Sequence, residues 1–333
     1  TLSRHECVAA VHTALDNGRY VEIRGDAGVG KSGVLRHFAA QMAAEGSIIV
    51  LSPHRTEPKG WSVMRLALGF DGIAHDLLTD LAADGGAVLF VDNLDFFDDD
   101  EQKTVIDLVR EAAGVPGFAV IVTARRNFGM DEPTWLPSDA LDRLGRAEPI
   151  MIGELSDIEI DEIRESAPTL APILSNTHPA RAVIRNLFRL ARLTSRPGDV
   201  TTLRTEVDMA EQWWQTADVK LDADHRERAR LLRALAEAAI DRADALEVGT
   251  HPARAVNDLI TSETLRDLGN DRVAFRHDVL REWAIGNLLH SVPEMIERLP
   301  LNRPASAALA RGGASSRRAW PLSIPPMARA GSY

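Results

Sequence analysis

Short apolar, β-branched runs alternate with stretches of helical period over the first 150 or so residues, the pattern of βαβ units around a parallel sheet. Five runs predict strands: Tyr20 to Arg24, Ser47 to Leu51, Ala87 to Val91, Phe118 to Thr123 and Pro149 to Ile152. Each is bounded by Gly, Pro or Asp. Between them, spacings of three and four residues predict helices over Glu6 to Leu15, Lys31 to Ala44, Ile73 to Ala83, Glu101 to Ala113 and Ser138 to Leu144.

Beyond Gly153 the helical period takes over. Ser156 and Glu159 have the spacing of a reciprocal helix cap. Pro179 sits at a favoured helix start, and Ala182, Ile184, Leu187, Phe188, Leu190 and Ala191 form one apolar stripe to Leu193. Arg196-Pro197-Gly198-Asp199 ends it. Helices are then predicted over Val200 to Gln215 and Asp224 to Ala243. A compact segment follows from Pro252 to Leu289: two helical patterns, a short strand at Arg272 to Arg276, and a helix from Asp278 capped by that aspartate. From Asn302 onward Pro, Ala, Arg, Gly and Ser run without period, as in a disordered tail or an interrupted next domain. The expected division is an α/β domain over 1–153, a helical lid over 154–198, a helical or winged-helix-like domain over 199–301 and the tail over 302–333.

Composition narrows the class. Of 333 residues, 45% are hydrophobic and 26% charged, the balance of an ordinary globular chain. A single cysteine, Cys7, excludes an internal disulfide framework and suits a reducing compartment, so a cytoplasmic location is expected. Apolar runs such as Ala87 to Val91 fall far short of the roughly 20 residues of a membrane span. The chain begins at Thr1 rather than Met and reads as a piece of a longer protein, so the lack of a signal peptide says little about the parent. A net charge of −11 disfavours a broad phosphate-tracking surface, and nucleic acid is not the expected partner.

One segment carries specific chemistry. Gly25-Asp26-Ala27-Gly28-Val29-Gly30-Lys31-Ser32, followed by Gly33, matches G-x-x-x-x-G-K-[ST] between a predicted strand and a predicted helix. Glycines let backbone amides turn toward phosphates, the helix start adds partial positive charge, Lys31 neutralises β/γ oxygens, and Ser32 ligates Mg²⁺. Such a site needs a carboxylate at the end of a buried strand in the same sheet, and Asp92 after Val88-Leu89-Phe90-Val91 supplies it. Asp95 is a candidate to polarise an attacking water; with Asp98, Asp99, Asp100 and Glu101 beside it, a solvated helix cap is the other reading. Thr123 and Arg125, ending the fourth strand, are placed either to sense a γ-phosphate or in a basic surface turn. Of Trp213-Trp214, one is expected in a helix core and the other half-exposed, and the histidines show no metal-ligand spacing.

Together these motifs resemble the STAND class of signal-transduction NTPases, relatives of AAA+ proteins that include NB-ARC and NACHT modules, over roughly Leu2 to Leu289. Leu89-Phe90-Val91-Asp92-Asn93-Leu94-Asp95 is similar to the NACHT acid motif, with Phe96 where a further acid often stands. Val120 to Arg125 resembles the T-x-R sensor strand, which implies that Arg125 faces the γ-phosphate. Thr177-His178-Pro179 resembles a G-x-P motif with Thr177 in place of glycine, implying that Pro179 packs on adenine. Phe275-Arg276-His277-Asp278 resembles the M-H-D motif with Arg276 in place of methionine, implying that His277 contacts the β-phosphate of ADP.

The resemblance implies an ATP/ADP and Mg²⁺ switch with slow hydrolysis, sensor and effector domains outside this segment, and a nucleotide-dependent homo-oligomer. The competing expectation is an AAA+ motor or DNA-loading ATPase with Arg181 as a lid arginine. A small-molecule kinase is disfavoured by the helical second half.

Overall fold

A computed structural model describes residues 4–298 except 84, 127–133, 176, 196–204, 219–221, 242 and 244. The expected helix stop at Arg196 to Asp199 and the expected tail from 302 lie outside the described residues. The chain divides into two compact units, 1–197 and 198–333.

The first unit opens with α1 (His5–Asn17), then β1 (Tyr20–Gly25), α2 (Lys31–Met42) and β2 (Ser47–Leu51). Two helices, α3 (Trp61–Ala67) and α4 (Ala74–Ala82), lead to β3 (Ala87–Val91), followed by α5 (Asp99–Gly114), β4 (Phe118–Arg125), α6 (Ser138–Leu144) and β5 (Ile150–Ile152). The strands form a parallel sheet, five-stranded among the described residues, in the order β2-β3-β4-β1-β5. One strand, β4, thus lies between the strand leading into the glycine loop and the strand ending at Asp92. This is the α/β P-loop class the sequence predicts.

Alternation along the central strands sets the two faces. Leu89 and Val91 of β3, with Val120 and Val122 of β4, pack with Leu78 of α4 and Leu108 of α5. Val88 and Phe90, with Ile121 of β4 and Val21 and Ile23 of β1, pack with Val11 of α1 and Phe38 of α2. Burial on both faces is why β3 and the first half of β4 read as unbroken apolar runs. Each such side chain contributes about 1.5–3 kcal/mol relative to exposure.

After β5 come α7 (Asp157–Ser166), α8 (Arg181–Ile184) and α9 (Leu187–Ser195). Ser156 and Glu159 form the reciprocal cap the spacing predicts, starting α7. The single stripe expected from Pro179 to Leu193 is two helices, interrupted at Arg185 and Asn186. Asn186 causes the break: its Oδ1 accepts the Phe188 and Arg189 amides at 3.1 and 3.3 Å, which starts a new helix. The short helix α3 has no counterpart among the predicted elements.

The second unit contains α10 (Glu206–Gln215), α11 (His225–Ile240), β6 (Leu246–Glu247), α12 (Ala253–Thr261), β7 (Leu265–Gly269), β8 (Arg272–Phe275) and α13 (Asp278–Ser291). The strands pair antiparallel in the order β6-β8-β7. The second helical pattern expected before Arg272 is therefore wrong. Residues 265–269 are a strand because the turn at Asn270-Asp271, both at positive φ, folds them back on β8. Trp213 is buried against Trp283, with ring centroids 6.0 Å apart, and Trp214 is half-buried. Arg228 is fully buried and pairs with Asp222 at 2.9 Å and Asp258 at 3.0 Å, so its charge is matched on both sides.

Candidate phosphate-binding site

The glycine loop joins β1 to α2 and its conformation follows from its residues. Gly28 and Gly30 have φ of 77° and 100°, where a side chain would be strained. A Cβ on Gly25 would meet the Ile152 carbonyl oxygen at 2.4 Å, so β1 and β5 close only around a glycine. Gly33 has open space around it and is tolerant of a side chain.

Every carbonyl from Gly25 to Val29 is anchored. Lys31 Nζ, in a side chain only 7% exposed, donates to the carbonyls of Gly25 and Asp26 at 3.0 Å each. Asn186 Nδ2 donates to Ala27 O at 2.9 Å, and the Phe188 amide to Gly28 O at 3.1 Å. Arg4 Nη1 donates to Val29 O at 2.6 Å. All peptides here are trans, so each following N–H points away from its carbonyl. The amides of Gly28, Val29 and Gly30 therefore face away from the anchors, the arrangement of an anion nest.

Beside the loop, Asp92 collects two hydroxyls on one oxygen. Ser32 Oγ donates to Asp92 Oδ1 at 2.9 Å and Thr123 Oγ1 to the same atom at 2.6 Å. Thr123 in turn accepts the Asn93 amide at 2.7 Å, which holds Asn93 at φ 60° and turns the chain after β3. A hydroxyl and a carboxylate in contact at the start of α2 are hard oxygen donors suited to Mg²⁺, which takes one or two carboxylates together with phosphate oxygens. Among the described residues no group of three or more His, Cys, Asp or Glu could hold a metal alone.

Asp95 Oδ2 accepts the Arg125 amide at 2.7 Å, tying the turn after β3 to the end of β4. The Arg125 guanidinium lies 4.8 Å above the Phe96 ring and the residue is 6% exposed, so it is not part of a surface turn. Arg126 is the exposed neighbour, 3.6 Å from Asp26 Oδ2. Phe96 thus gives Arg125 an aromatic face to rest on.

Pro179 is exposed in the turn before α8, and Arg181 pairs with Asp157 at 3.4 Å. His277 lies in the second unit and is the residue before α13, whose first residue is Asp278; the cap expected at Asp278 falls one position earlier because α13 already includes that aspartate.

Two residues were missed from the sequence: Arg4 and Asn186. Arg4, held at φ 44°, also bonds Gly153 O at 3.1 Å and Glu159 through Nε at 2.7 Å. It straps the loop, the end of β5 and α7 together. Burial acts to raise the Glu159 carboxyl, but the Arg4 bond and the Ser156 amide outweigh it and hold it below the usual carboxylate range. A lowered folded-state pKa gives stability that is present above the unfolded value, near 4.3, and lost as pH falls through the folded one. A Glu159→Gln variant should therefore melt below the parent at neutral pH, with the gap closing in acid. A gap independent of pH in melting curves would show that the strap is not electrostatic.

No protein-family model and no curated protein matches the chain. Among solved structures it is similar to the Walker-type ATPase PABY2304 of Pyrococcus abyssi, at 12% identity and a TM-score of 0.41 over 85% of this chain and 96% of that one. It is also similar to Cdc6p from Pyrobaculum aerophilum, at 14% and 0.40 over 89% and 94%. A DNA replication initiation factor gives 14% and 0.41 over 95% and 94%.

Proposed function

We propose that this chain is an ATP- and ADP-binding switch module of the STAND class, with slow ATP hydrolysis, working inside a larger signalling or defence protein. The observation that supports it best is the Ser32–Asp92–Thr123 cluster beside a loop whose carbonyls are all turned aside. In this reading the loop amides and Lys31 take the phosphates, and Ser32 and Asp92 hold Mg²⁺. Bound Mg²⁺ would offset phosphate charge during γ-phosphoryl transfer to water. Asp95 orients that water and Arg125 responds to the γ-phosphate. By resemblance, Pro179 packs on adenine and His277 takes the β-phosphate of ADP. The module then comprises a nucleotide domain over 1–153, a lid over 154–198 and a winged-helix-like domain over 199–301, with sensor and effector parts elsewhere and self-assembly under nucleotide control.

The second reading is an AAA+ motor or DNA-loading ATPase. It draws on Arg181, which stands at the first position of α8 in the lid, where a lid arginine would serve ATP turnover. ADP dissociation separates the two. In the switch, His277→Ala removes a contact made only in the ADP state, on the order of 1–3 kcal/mol of coupling, and ADP leaves about 5- to 150-fold faster. In the motor that substitution leaves release unchanged, and Arg181→Ala slows turnover instead. An unaltered off-rate in the His277 variant would end the case for the switch.

A further inference from the structure

The start of α9 touches the glycine loop through three consecutive residues. Asn186, 2% exposed, donates to Ala27 O, the Phe188 amide donates to Gly28 O, and a Cβ on Gly30 would meet Leu187 Cδ1 at 2.7 Å. Asn186 serves two ends at once. Its carbonyl oxygen begins α9 by taking the Phe188 and Arg189 amides, while its amide nitrogen holds the Ala27–Gly28 peptide. The partners are 159 residues apart and the contact is buried, so no water replaces it cheaply.

We infer that Asn186 is a positioning residue of the phosphate site, fixing the Ala27–Gly28 peptide so that the Gly28 amide faces a bound phosphate. This rests on the nucleotide reading above. The Ala27–Gly28 peptide is open to rotation, since Gly28 has no side chain to restrict it and sits at positive φ. Only an asparagine-type side chain satisfies both ends: a carboxylate or hydroxyl can start the helix, but a carboxylate has no proton to offer Ala27 O and a serine is too short to reach it.

That difference gives the test. Asn186→Asp and Asn186→Ser each retain an acceptor for the helix start and lose the hold on Ala27 O. In the full chain, both should keep the parent's circular dichroism and bind Mg-ATP about tenfold or more weakly in calorimetry, the aspartate variant worse because its oxygen opposes the carbonyl. Should the aspartate variant fail to fold, the serine variant still decides. Parent-like affinity in a folded variant, with Lys31→Ala abolishing binding, would overturn the positioning role and leave the phosphate site standing. A parent chain that does not bind Mg-ATP would overturn both.

Discussion

Replacing Lys31 with alanine should abolish Mg-ATP binding, with affinity falling about 100-fold or more. The ammonium is a buried cation of the loop, held by Gly25 O and Asp26 O, and in the nucleotide reading it exchanges these acceptors for phosphate oxygens. A charge-assisted hydrogen bond is worth about 1.5–3 kcal/mol, and losing two in a site drawn from water accounts for that factor. Calorimetric titration of the variant with Mg-ATP checks it. Retained affinity would mean that Gly25 to Ser32 is a structural turn and not a phosphate site.

Asp92→Asn should separate binding from turnover. The amide keeps an oxygen for the Ser32 and Thr123 hydroxyls, so the turn after β3 and the start of α2 stay in place. What it loses is the negative charge that draws Mg²⁺. Nucleotide affinity without Mg²⁺ should stay within a few-fold of the parent, while hydrolysis falls about 100-fold or more and no longer responds to added Mg²⁺. Phosphate release measured across a Mg²⁺ titration gives the answer. Full Mg²⁺-dependent turnover would move the metal to another carboxylate.

The parts of this molecule that were legible in the sequence are those where one local rule decides. β3 and the first half of β4, buried on both faces, read as apolar runs, and all five strands fell within two residues of their places; the glycine loop declared itself through fixed spacing. Across longer distances the rules gave out. Asn186 sits inside an apolar stripe of helical period, and the pattern ran straight through it because the hydrophobic signal does not register a polar side chain that starts a second helix. Its signal was the residue type itself, a strong helix starter in mid-stripe. Arg4 left no comparable mark, since nothing near residue 4 reveals that its guanidinium serves residues 29, 153 and 159. The strand at 265–269 was lost for a third reason: Leu265-Arg266-Asp267-Leu268 fits a helix as well as a strand, and only pairing with β8 decides it.

The strand order also bears on how the chain is made. Among the described strands β1 pairs with β4 and β5, and Tyr20 meets Val120. A ribosome adding about 5–20 residues per second needs about 5–20 s between making those two partners, so β1 emerges long before it has a neighbour. Val21 and Ile23, fully buried at the end, spend that interval uncovered except for what α1 and α2 can shield. Ser32, Asp92 and Thr123 cannot meet until β4 has been translated, and the loop carbonyls of Ala27 and Gly28 wait for Asn186 and Phe188, which makes the phosphate site one of the last features of the first unit to appear. Nascent chains arrested before residue 118 should accordingly leave this unit open to protease, and those arrested with residue 197 clear of the ribosome should protect it.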